Sequence, residues 1–247
     1  METLTGKTAL ITGAGKRIGR AAALALARNG VHVVVHYRSS ETDARETAAT
    51  ARELGVRAWT LPGDLGNPRD AAALFGKAVA LAGPIDYLVN SASSFLSDRL
   101  AVVTPEAFYD AVNLNALAPF LLGRCLAAQE RPGGIVNLLD ARITDYDREH
   151  ASYHLSKRML FTLTRMMAVE FAPRVRVNGI APGLILPPEG KDESYLAKHA
   201  ATNPLNRYGS PDDVAEAILY LLCSDFVTGQ VIFVDGGRHM RGGMYGY

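Results

Sequence analysis

The sequence has little of what marks several large classes of protein. Only two of its 247 residues are cysteines, Cys125 and Cys223, and both stand in apolar surroundings. That is too few for a disulfide framework and is typical of buried, reduced thiols. Neither sign of charge dominates, since 26 Lys and Arg face 25 Asp and Glu, and no apolar run approaches the roughly 20 residues of a membrane-spanning helix. The N-terminus shows no signal-peptide pattern. We therefore expect a cytoplasmic protein without a nucleic-acid or membrane partner.

Short apolar segments alternate along the whole chain with longer helical segments, without a linker or an internal repeat. This alternation predicts βαβ units in a parallel sheet that is buried on both faces. We expect one α/β domain over residues 1–247, a doubly wound sheet with helices on both faces and its ligand crevice at the carboxyl ends of the strands. The predicted strands are 8–12, 31–36, 58–61, 85–89, 135–139, 175–180 and 231–234. The predicted helices are 20–28, 41–54, 70–81, 105–129, 151–172 and 212–222.

A glycine-rich turn, residues 12–19 (TGAGKRIG), follows the first predicted strand and opens a helix. Gly13 allows the tight turn, Gly15 allows a phosphate to approach the backbone, and Gly19 allows the helix to pack on the sheet. Such a turn presents backbone N–H groups to the pyrophosphate of a dinucleotide, although an ordinary strand-to-helix turn is the alternative. We expect further cofactor contacts from Lys16, Arg17 and Ile18.

The residues after the second predicted strand favour NADPH over NADH. An NAD site usually has an acidic residue here for the ribose 2′-OH, but none precedes Glu41. Arg38 and Ser39 suit a 2′-phosphate instead, unless Arg38 is only a solvated loop residue. After the third strand, Asp64 suits either the adenine amino group or the N-terminus of a helix. The cofactor contacts expected after these two strands are His36, Tyr37, Arg38, Ser39, Asp64 and Leu65.

Tyr153 and Lys157 lie four residues apart in a predicted helix and therefore project from one face. The ordinary pKa of a phenol is near 10, and a nearby ammonium group lowers it. We therefore expect Tyr153 to act as a general acid that Lys157 activates. The pair is common by chance, so it gains weight only from the glycine turn upstream.

With both motifs, the chain resembles the classical short-chain dehydrogenase/reductase family over its full length. The resemblance implies a single Rossmann domain with seven parallel strands, which usually forms a homotetramer. It assigns Lys157 to the cofactor ribose as well, and it assigns a water-mediated proton relay to Asn115, with Asn113 as a nearby rival. The further cofactor contacts that it implies are Asn90, Ala92, Tyr153, Pro182, Gly183 and Leu184.

Two departures from the family pattern bear on the substrate. Asp140 stands where the family has a catalytic serine, and Arg17 stands where the family's turn usually has a glycine. An ionised carboxylate only accepts hydrogen bonds, so Asp140 suits a substrate with N–H donors or a proton shared with Tyr153. These features resemble the pteridine reductase branch, including bacterial dihydromonapterin reductases. That branch would use Phe95 to stack on a pterin, although core packing is the alternative, and Ser93 to bind pterin or cofactor.

The resemblance implies NADPH-dependent reduction of a C=N bond in a dihydropterin, of the dihydromonapterin, dihydrobiopterin or dihydrofolate type. The proton would come from Tyr153 or from a water that Tyr153 and Asp140 order, and a substrate loop at about 184–205 would close over the site. The tail, residues 238–247, could bring Arg238 or Arg241 to a neighbouring subunit. The alternatives are a carbonyl or sugar reductase of the same family and a non-catalytic sensor. No Cys or His spacing indicates a metal site.

Overall fold

In a computed structural model that describes residues 3–188 and 190–240, the seven predicted strands form one parallel sheet. The strand order is β3-β2-β1-β4-β5-β6-β7, and every neighbouring pair is parallel. The strands are β1 Thr8–Ile11, β2 His32–Tyr37, β3 Ala58–Pro62, β4 Tyr87–Asn90, β5 Gly133–Leu138, β6 Val175–Pro182 and β7 Val231–Val234. The predicted α/β fold is confirmed.

Eight α-helices in the described residues connect or flank these strands. They are α1 Arg17–Arg28, α2 Glu41–Glu53, α3 Pro68–Ala82, α4 Pro105–Val112, α5 Ala118–Ala127, α6 Ala151–Glu170, α7 Glu193–His199 and α8 Pro211–Cys223. The single helix predicted over 105–129 is wrong in one respect, because the π-helical turn Asn113–Leu117 separates α4 from α5. Short 3-10 turns occur at Ala141–Thr144, Ala200–Thr202 and Arg238–Met240.

Successive residues of the central strands face two separate hydrophobic layers. Ile11 and Val35 pack with α1, α2 and α8, whereas Leu10 and Val34 pack with α3, α5 and α6. These four side chains are completely buried, and each such burial stabilises the fold by about 1.5–3 kcal/mol. Burial on both faces explains why the strands are continuous apolar runs in the sequence.

The order of the strands reverses direction between β1 and β4. From β1 the chain proceeds outward to β2 and β3, and from β4 it proceeds to β5, β6 and β7 on the other side. In such sheets, ligands bind in the crevice at this switch point, outside the carboxyl ends of the strands. In the described residues no helix is long and apolar enough to cross a membrane. Cys125 and Cys223 are free and half-buried, rather than fully buried as expected.

Candidate active site

The glycine turn between β1 and α1 depends on close contacts between backbones. Thr12 Oγ1 accepts hydrogen bonds from the N–H groups of Ser91 and Ala92, both at 3.0 Å, which joins the ends of β1 and β4. Gly13 has a φ of +64°, and a Cβ there would lie 2.9 Å from Ala92 Cα. A Cβ at Gly19 would collide with the carbonyl oxygen of Gly13. Both positions therefore require glycine.

The N-terminus of α1 opens at this turn and is suited to a phosphate. The N-cap residue of α1 is Lys16, and within the described part of the chain no side chain forms a capping hydrogen bond there. The first turn of α1 contains no acidic residue. Unpaired N–H groups and the positive end of the helix dipole both favour an anion at this point. Lys16 forms an ion pair with Asp43 Oδ2 at 3.0 Å, so its ammonium group is drawn toward α2. Gly15 and Ile18 lie within the same turn.

Arg38 and Ser39 follow β2 directly, beside the glycine turn, and both are exposed. His36, which lies in β2 two residues before Arg38, is buried, with Nδ1 accepting from Gly13 N at 3.2 Å and Nε2 lying 3.1 Å from Gly63 O. Burial lowers the pKa of His36 to about 4, so its ring is neutral. The side chain of His36 therefore positions the turn, whereas the 2′-phosphate contacts of Arg38 and Ser39 stay a prediction.

Asp64 lies after β3 and is exposed. Its Oδ1 accepts a hydrogen bond from Gly66 N at 2.9 Å, and the residue that caps α3 is Asn67. The alternative that Asp64 caps this helix is thus wrong, and the adenine contact stays a prediction. The neighbouring residues Leu65 and Tyr37 are buried.

The side chain of Asn90 at the end of β4 connects elements of the sheet. Asn90 Nδ2 donates to Asn137 Oδ1 at 2.8 Å, and Asn137 Nδ2 donates to Thr164 Oγ1 at 2.9 Å. This buried chain of hydrogen bonds joins β4, β5 and α6. Asn90 therefore has a structural role in the sheet. Ala92, two residues further along, is half-buried, and the cofactor contacts of both residues stay a prediction.

Tyr153 and Asp140, which stands in the place of the family's serine, contact each other directly. Tyr153 Oη donates to Asp140 Oδ2 at 2.8 Å, and Arg142 N donates to Asp140 Oδ1 at 2.7 Å. Lys157 lies one turn further along α6. Its Nζ donates to Leu138 O at 2.7 Å and lies 5.8 Å from the centre of the Tyr153 ring. Three of the four side chains predicted to be catalytic therefore converge at the carboxyl end of β5.

The pKa values at this site differ from the expectation in one important respect. Burial, followed by the charge and hydrogen bond of Asp140, raises the pKa of Tyr153 well above its ordinary value. Burial lowers the pKa of Lys157 to about 8, although Asp140 acts in the opposite direction. Burial and the carboxylate therefore outweigh any lowering by Lys157, because the carboxylate contacts the phenol and the ammonium group contacts Leu138. Tyr153 is thus protonated at neutral pH. Activation of Tyr153 by Lys157 stays a prediction.

Asn115 connects the loop after β4 to α6. It lies in the π-helical turn and is buried, whereas Asn113 is half-buried. Asn115 Oδ1 accepts from Ser93 Oγ at 3.0 Å and from Ser94 N at 3.1 Å. Its Nδ2 donates to Ser156 Oγ at 3.0 Å. The geometry thus favours Asn115 over its rival, and its proton relay stays a prediction.

Phe95 presents an aromatic surface beside the catalytic tyrosine. It is 49% exposed, so the core-packing alternative is wrong. Its ring stacks on His150, with centroids 4.0 Å apart, and meets Tyr153 edge to face at 4.7 Å. Asp98 fixes this loop to the start of α6, because its carboxylate accepts hydrogen bonds from Ser152 N and Ser152 Oγ.

Arg17 connects the glycine turn to the predicted substrate loop. Its φ of +55° lies in the left-handed region, where glycine is the favoured residue. Arg17 Nη2 donates to Pro187 O at 2.8 Å. This contact bridges 170 residues of sequence and places Arg17 at the junction between turn and loop. Contacts of Arg17 with cofactor or substrate stay a prediction.

The segment after β6 contains the short helix α7 that the sequence indicates. Pro182 ends β6, Gly183 N donates to Val234 O at 3.0 Å, and Leu184 is buried. Their contacts with the nicotinamide stay a prediction.

Arg238 is half-buried in a 3-10 turn that lies against Ala141–Thr144 of its own chain. Burial, followed by the charge of Arg142, lowers the pKa of Arg238, while Asp140 opposes this effect. Arg238 therefore lies near the active site of its own subunit. Arg241 is outside the described residues.

One group of side chains was not predicted, namely Asp147, His150 and His154. Both carboxylate oxygens of Asp147 lie 3.1 Å from His150 Nδ1, and Oδ2 lies 3.4 Å from His154 Nε2. The signal in the sequence is the i, i+4 spacing of the two histidines at the start of a helix, which places both rings on one face.

Comparison with known proteins agrees with this geometry. A family model described as Enoyl-(Acyl carrier protein) reductase matches residues 13–239, which is most of the chain. The chain belongs to the short-chain dehydrogenase/reductase family. This oxidoreductase has the family's single sheet and its glycine turn, and it brings Asn115, Tyr153 and Lys157 to the carboxyl edge of that sheet.

Relatives of this short-chain dehydrogenase/reductase act on different kinds of substrate. Tetrahydroxynaphthalene reductase of Pyricularia oryzae is 32% identical over 261 residues, covering 96% of this chain and 91% of that protein. The structure of FolM alternative dihydrofolate reductase 1 from Brucella canis, complexed with NADP, superimposes with a TM-score of 0.90 at 30% identity, covering 98% and 97% of the two chains. The angucycline C-6 ketoreductase LanV with bound NADP gives 0.89 at 29% identity, covering 96% and 97%.

Proposed function

We propose that this protein is an NADPH-dependent reductase that converts a dihydropterin, of the dihydromonapterin, dihydrobiopterin or dihydrofolate type, to the tetrahydropterin. The observation that carries the proposal is the 2.8 Å hydrogen bond from Tyr153 Oη to Asp140 Oδ2. A serine at position 140 would donate to a ketone oxygen, whereas an ionised aspartate accepts N–H groups such as those of a pterin. The similarity to the dihydrofolate reductase of Brucella canis supports the same substrate class.

The residues of the glycine turn fit an NADPH cofactor. The N-terminus of α1 offers uncapped N–H groups to the pyrophosphate, and exposed Arg38 and Ser39 offer donors to a 2′-phosphate. The two structural neighbours were both solved with NADP. When bound, NADPH supplies the hydride that reduces the C=N bond.

Tyr153 supplies the proton in this proposal, either from its own Oη or through a water that Tyr153 and Asp140 hold. The raised pKa of Tyr153 keeps the phenol protonated before reduction. The hydrogen bonds of Asn115 to Ser93, Ser94 and Ser156 hold its amide next to the same helix turn, which supports the assignment of a relay to this residue.

Phe95 provides the surface on which the flat heterocycle lies. Half of the side chain is exposed, and its ring meets that of Tyr153, so a stacked pterin would lie next to the proton donor. Aromatic stacking contributes about 0.5–1.5 kcal/mol beyond the burial of area. Arg17 adds donors for the electron-rich edge of the heterocycle.

The second candidate is a carbonyl reductase, which the similarity to LanV and to tetrahydroxynaphthalene reductase favours. In that case the aspartate at position 140, in place of the family's serine, would be a variation that does not change the type of substrate. A non-catalytic sensor is the least favoured candidate, because Asn115, Tyr153 and Lys157 are all buried in the arrangement that proton transfer needs.

A panel of dihydropterins, dihydrofolate and simple ketones, followed by NADPH absorbance, separates the two enzymatic candidates. We expect turnover of dihydropterins, and Asp140→Ser should shift the ratio of kcat/KM values toward ketones by about 10-fold or more. Turnover of ketones alone by the unmodified protein would overturn the pterin proposal.

The cofactor is tested by Arg38→Asp with Lys77→Asp as its control, since Lys77 is an exposed cation on α3. A lost charge-assisted contact of about 1.5–3 kcal/mol should weaken NADPH about 10- to 100-fold and leave NADH nearly unchanged. Equal losses for both cofactors would reject a 2′-phosphate contact.

We also propose that copies of the chain associate through α6, in line with the homotetramer that the family resemblance implies. Met159, Met166 and Val169 are exposed on this helix at spacings of seven and three residues, which places them on one face. An exposed apolar stripe of this kind is typical of a surface that another protein covers.

A further inference from the structure

Three side chains of types that bind metals lie together at the start of α6. They are Asp147, His150 and His154, and each offers an atom that lies within 4.8 Å of the atoms offered by the other two. His150 is the N-cap residue of α6, His154 lies one turn into the helix with its ring centroid 6.3 Å from that of His150, and Asp147 reaches both from the preceding loop. None of the three takes part in the hydrogen bond from Tyr153 to Asp140 or in that from Lys157 to Leu138.

His154 has one buried nitrogen without a hydrogen-bond partner in the described part of the chain. Its side chain is 5% exposed, and among the described residues its Nε2 has no hydrogen-bond partner. Native proteins pair nearly all such buried atoms, because an unpaired one has lost its water without compensation. The atom faces the carboxylate, 3.4 Å from Asp147 Oδ2. A cation bound by both groups would satisfy it.

The distances from the carboxylate of Asp147 to the two ring nitrogens fit a small tetrahedral ion. His150 Nδ1 and His154 Nε2 lie 3.1 and 3.4 Å from Asp147 oxygens. Metal–ligand bonds of 2.0–2.1 Å at tetrahedral angles separate the donors by about 3.3 Å. Two imidazole nitrogens and one carboxylate oxygen match zinc sites with three protein ligands and a water, whereas Mg²⁺ and Ca²⁺ prefer oxygen donors.

The carboxylate is ionised and held in place. Burial alone would raise the pKa of Asp147, yet the hydrogen bonds from Glu149 N and His150, together with the nearby ring of His154, lower it to about 2. Its Oδ1 accepts from Glu149 N at 2.8 Å, and its Oδ2 accepts from Arg142 Nη1 at 2.9 Å. Two oxygens have about four acceptor positions, so a metal bond remains compatible with both contacts, which then orient the ligand from outside. The charge of Arg142 lowers the affinity for a dication.

We propose that Asp147, His150 and His154 bind one divalent transition-metal ion of the Zn²⁺ type per chain, with water as the fourth ligand. The bound ion would replace the hydrogen bonds between His150 and Asp147 by metal bonds. Because the His150 ring stacks on one face of the Phe95 ring, the ion would also hold Phe95 in position in the active site. The site does not depend on the substrate proposed above.

Calorimetric titration of untagged, chelator-treated full chain with ZnCl₂ tests the site, with a chromophoric zinc indicator as competitor. We expect one Zn²⁺ per chain and a Kd in the micromolar range or tighter. Because imidazole must lose its proton to bind metal, affinity should fall on acidification. Co²⁺ in place of Zn²⁺ should give the intense visible absorption of a tetrahedral site.

Two separate variants, Asp147→Asn and His154→Gln, each remove one ligand and should weaken binding at least about 10-fold. His199→Gln is the control, since His199 lies on α7 outside the group. Near-ultraviolet circular dichroism verifies that each variant is folded. Binding weaker than about 0.1 mM in the unmodified chain, or equal affinity in all three variants, would overturn the proposal.

Discussion

The left-handed backbone at Arg17 gives a prediction that separates a structural cost from a functional role. A non-glycine residue at a φ of +55° costs about 1–2 kcal/mol relative to the right-handed region. Glycine avoids this cost, but relative to alanine it lowers the stability of the fold by roughly 0.4–1 kcal/mol, because it gives the unfolded chain more conformational entropy. Arg17→Gly and Arg17→Ala both lose the hydrogen bond to Pro187 O, so that contact cancels in the comparison. We expect the glycine variant to be the more stable by about 1 kcal/mol.

Thermal unfolding of the two variants without cofactor measures this difference. For a chain of this length, 1 kcal/mol corresponds to about 2–4 °C in Tm. An alanine variant as stable as the glycine variant would refute the strain at Arg17. In turnover, both variants lack the guanidinium group and should raise the KM for dihydropterin alike. An unchanged KM in both would contradict the substrate role while leaving the backbone reasoning intact.

Four further outcomes follow from the site and its supports. Tyr153→Phe should abolish reduction while NADPH still binds, as measured by its fluorescence; retained turnover would reject Tyr153 as the acid. Gly19→Ala should lower Tm and NADPH affinity together, because its Cβ collides with the Gly13 carbonyl; an unchanged melting curve would contradict this. Burial lowers the pKa of Lys157 from 10.5 to about 8, so the folded chain binds fewer protons between these values and this group's contribution to stability rises with pH there. Urea midpoints at pH 7.5 and 9.5 should show that rise relative to Lys157→Met, and parallel midpoints would exclude it. Met166→Glu should yield a smaller assembly in light scattering, and an unchanged mass would remove α6 as the interface.

The sheet was predictable because its strands are buried on both faces and therefore consist almost entirely of apolar residues. The break at Asn113–Leu117 within the predicted helix 105–129 was not predictable. A π-helical turn adds one residue to the helix register, and no residue type requires it. The contacts that accompany the turn are tertiary, since Asn115 bonds to Ser93 and Ser94 after β4 and to Ser156 in α6.

The site was predictable where it depends on spacing, and not where it depends on distance through the fold. The spacing of Tyr153 and Lys157 placed both on one face, and the shared proton with Asp140 was one of the two interpretations of that residue. The direction in which the pKa of Tyr153 shifts could not be predicted from the sequence. It depends on burial and on whether the carboxylate of Asp140 or the ammonium group of Lys157 lies nearer to the phenol. Likewise, nothing local indicates that Arg17 meets Pro187.

The contact between Asp140 and Tyr153 limits the protonation states of the site and, with them, the kind of substrate that the proposed reaction can accept. If Tyr153 lost its proton beside an ionised Asp140, two negative charges would lie 2.8 Å apart. At an effective dielectric constant near 20, their repulsion is about 6 kcal/mol. The ammonium group of Lys157 donates its hydrogen bond to Leu138 O rather than to Tyr153. The site therefore begins turnover with a neutral phenol. A ketone oxygen gains nothing from an ionised carboxylate, whereas a dihydropterin offers it an N–H group. When the phenol gives its proton to the reduced nitrogen, the proposed relay must return a proton to Tyr153, because the phenolate is repelled by the carboxylate.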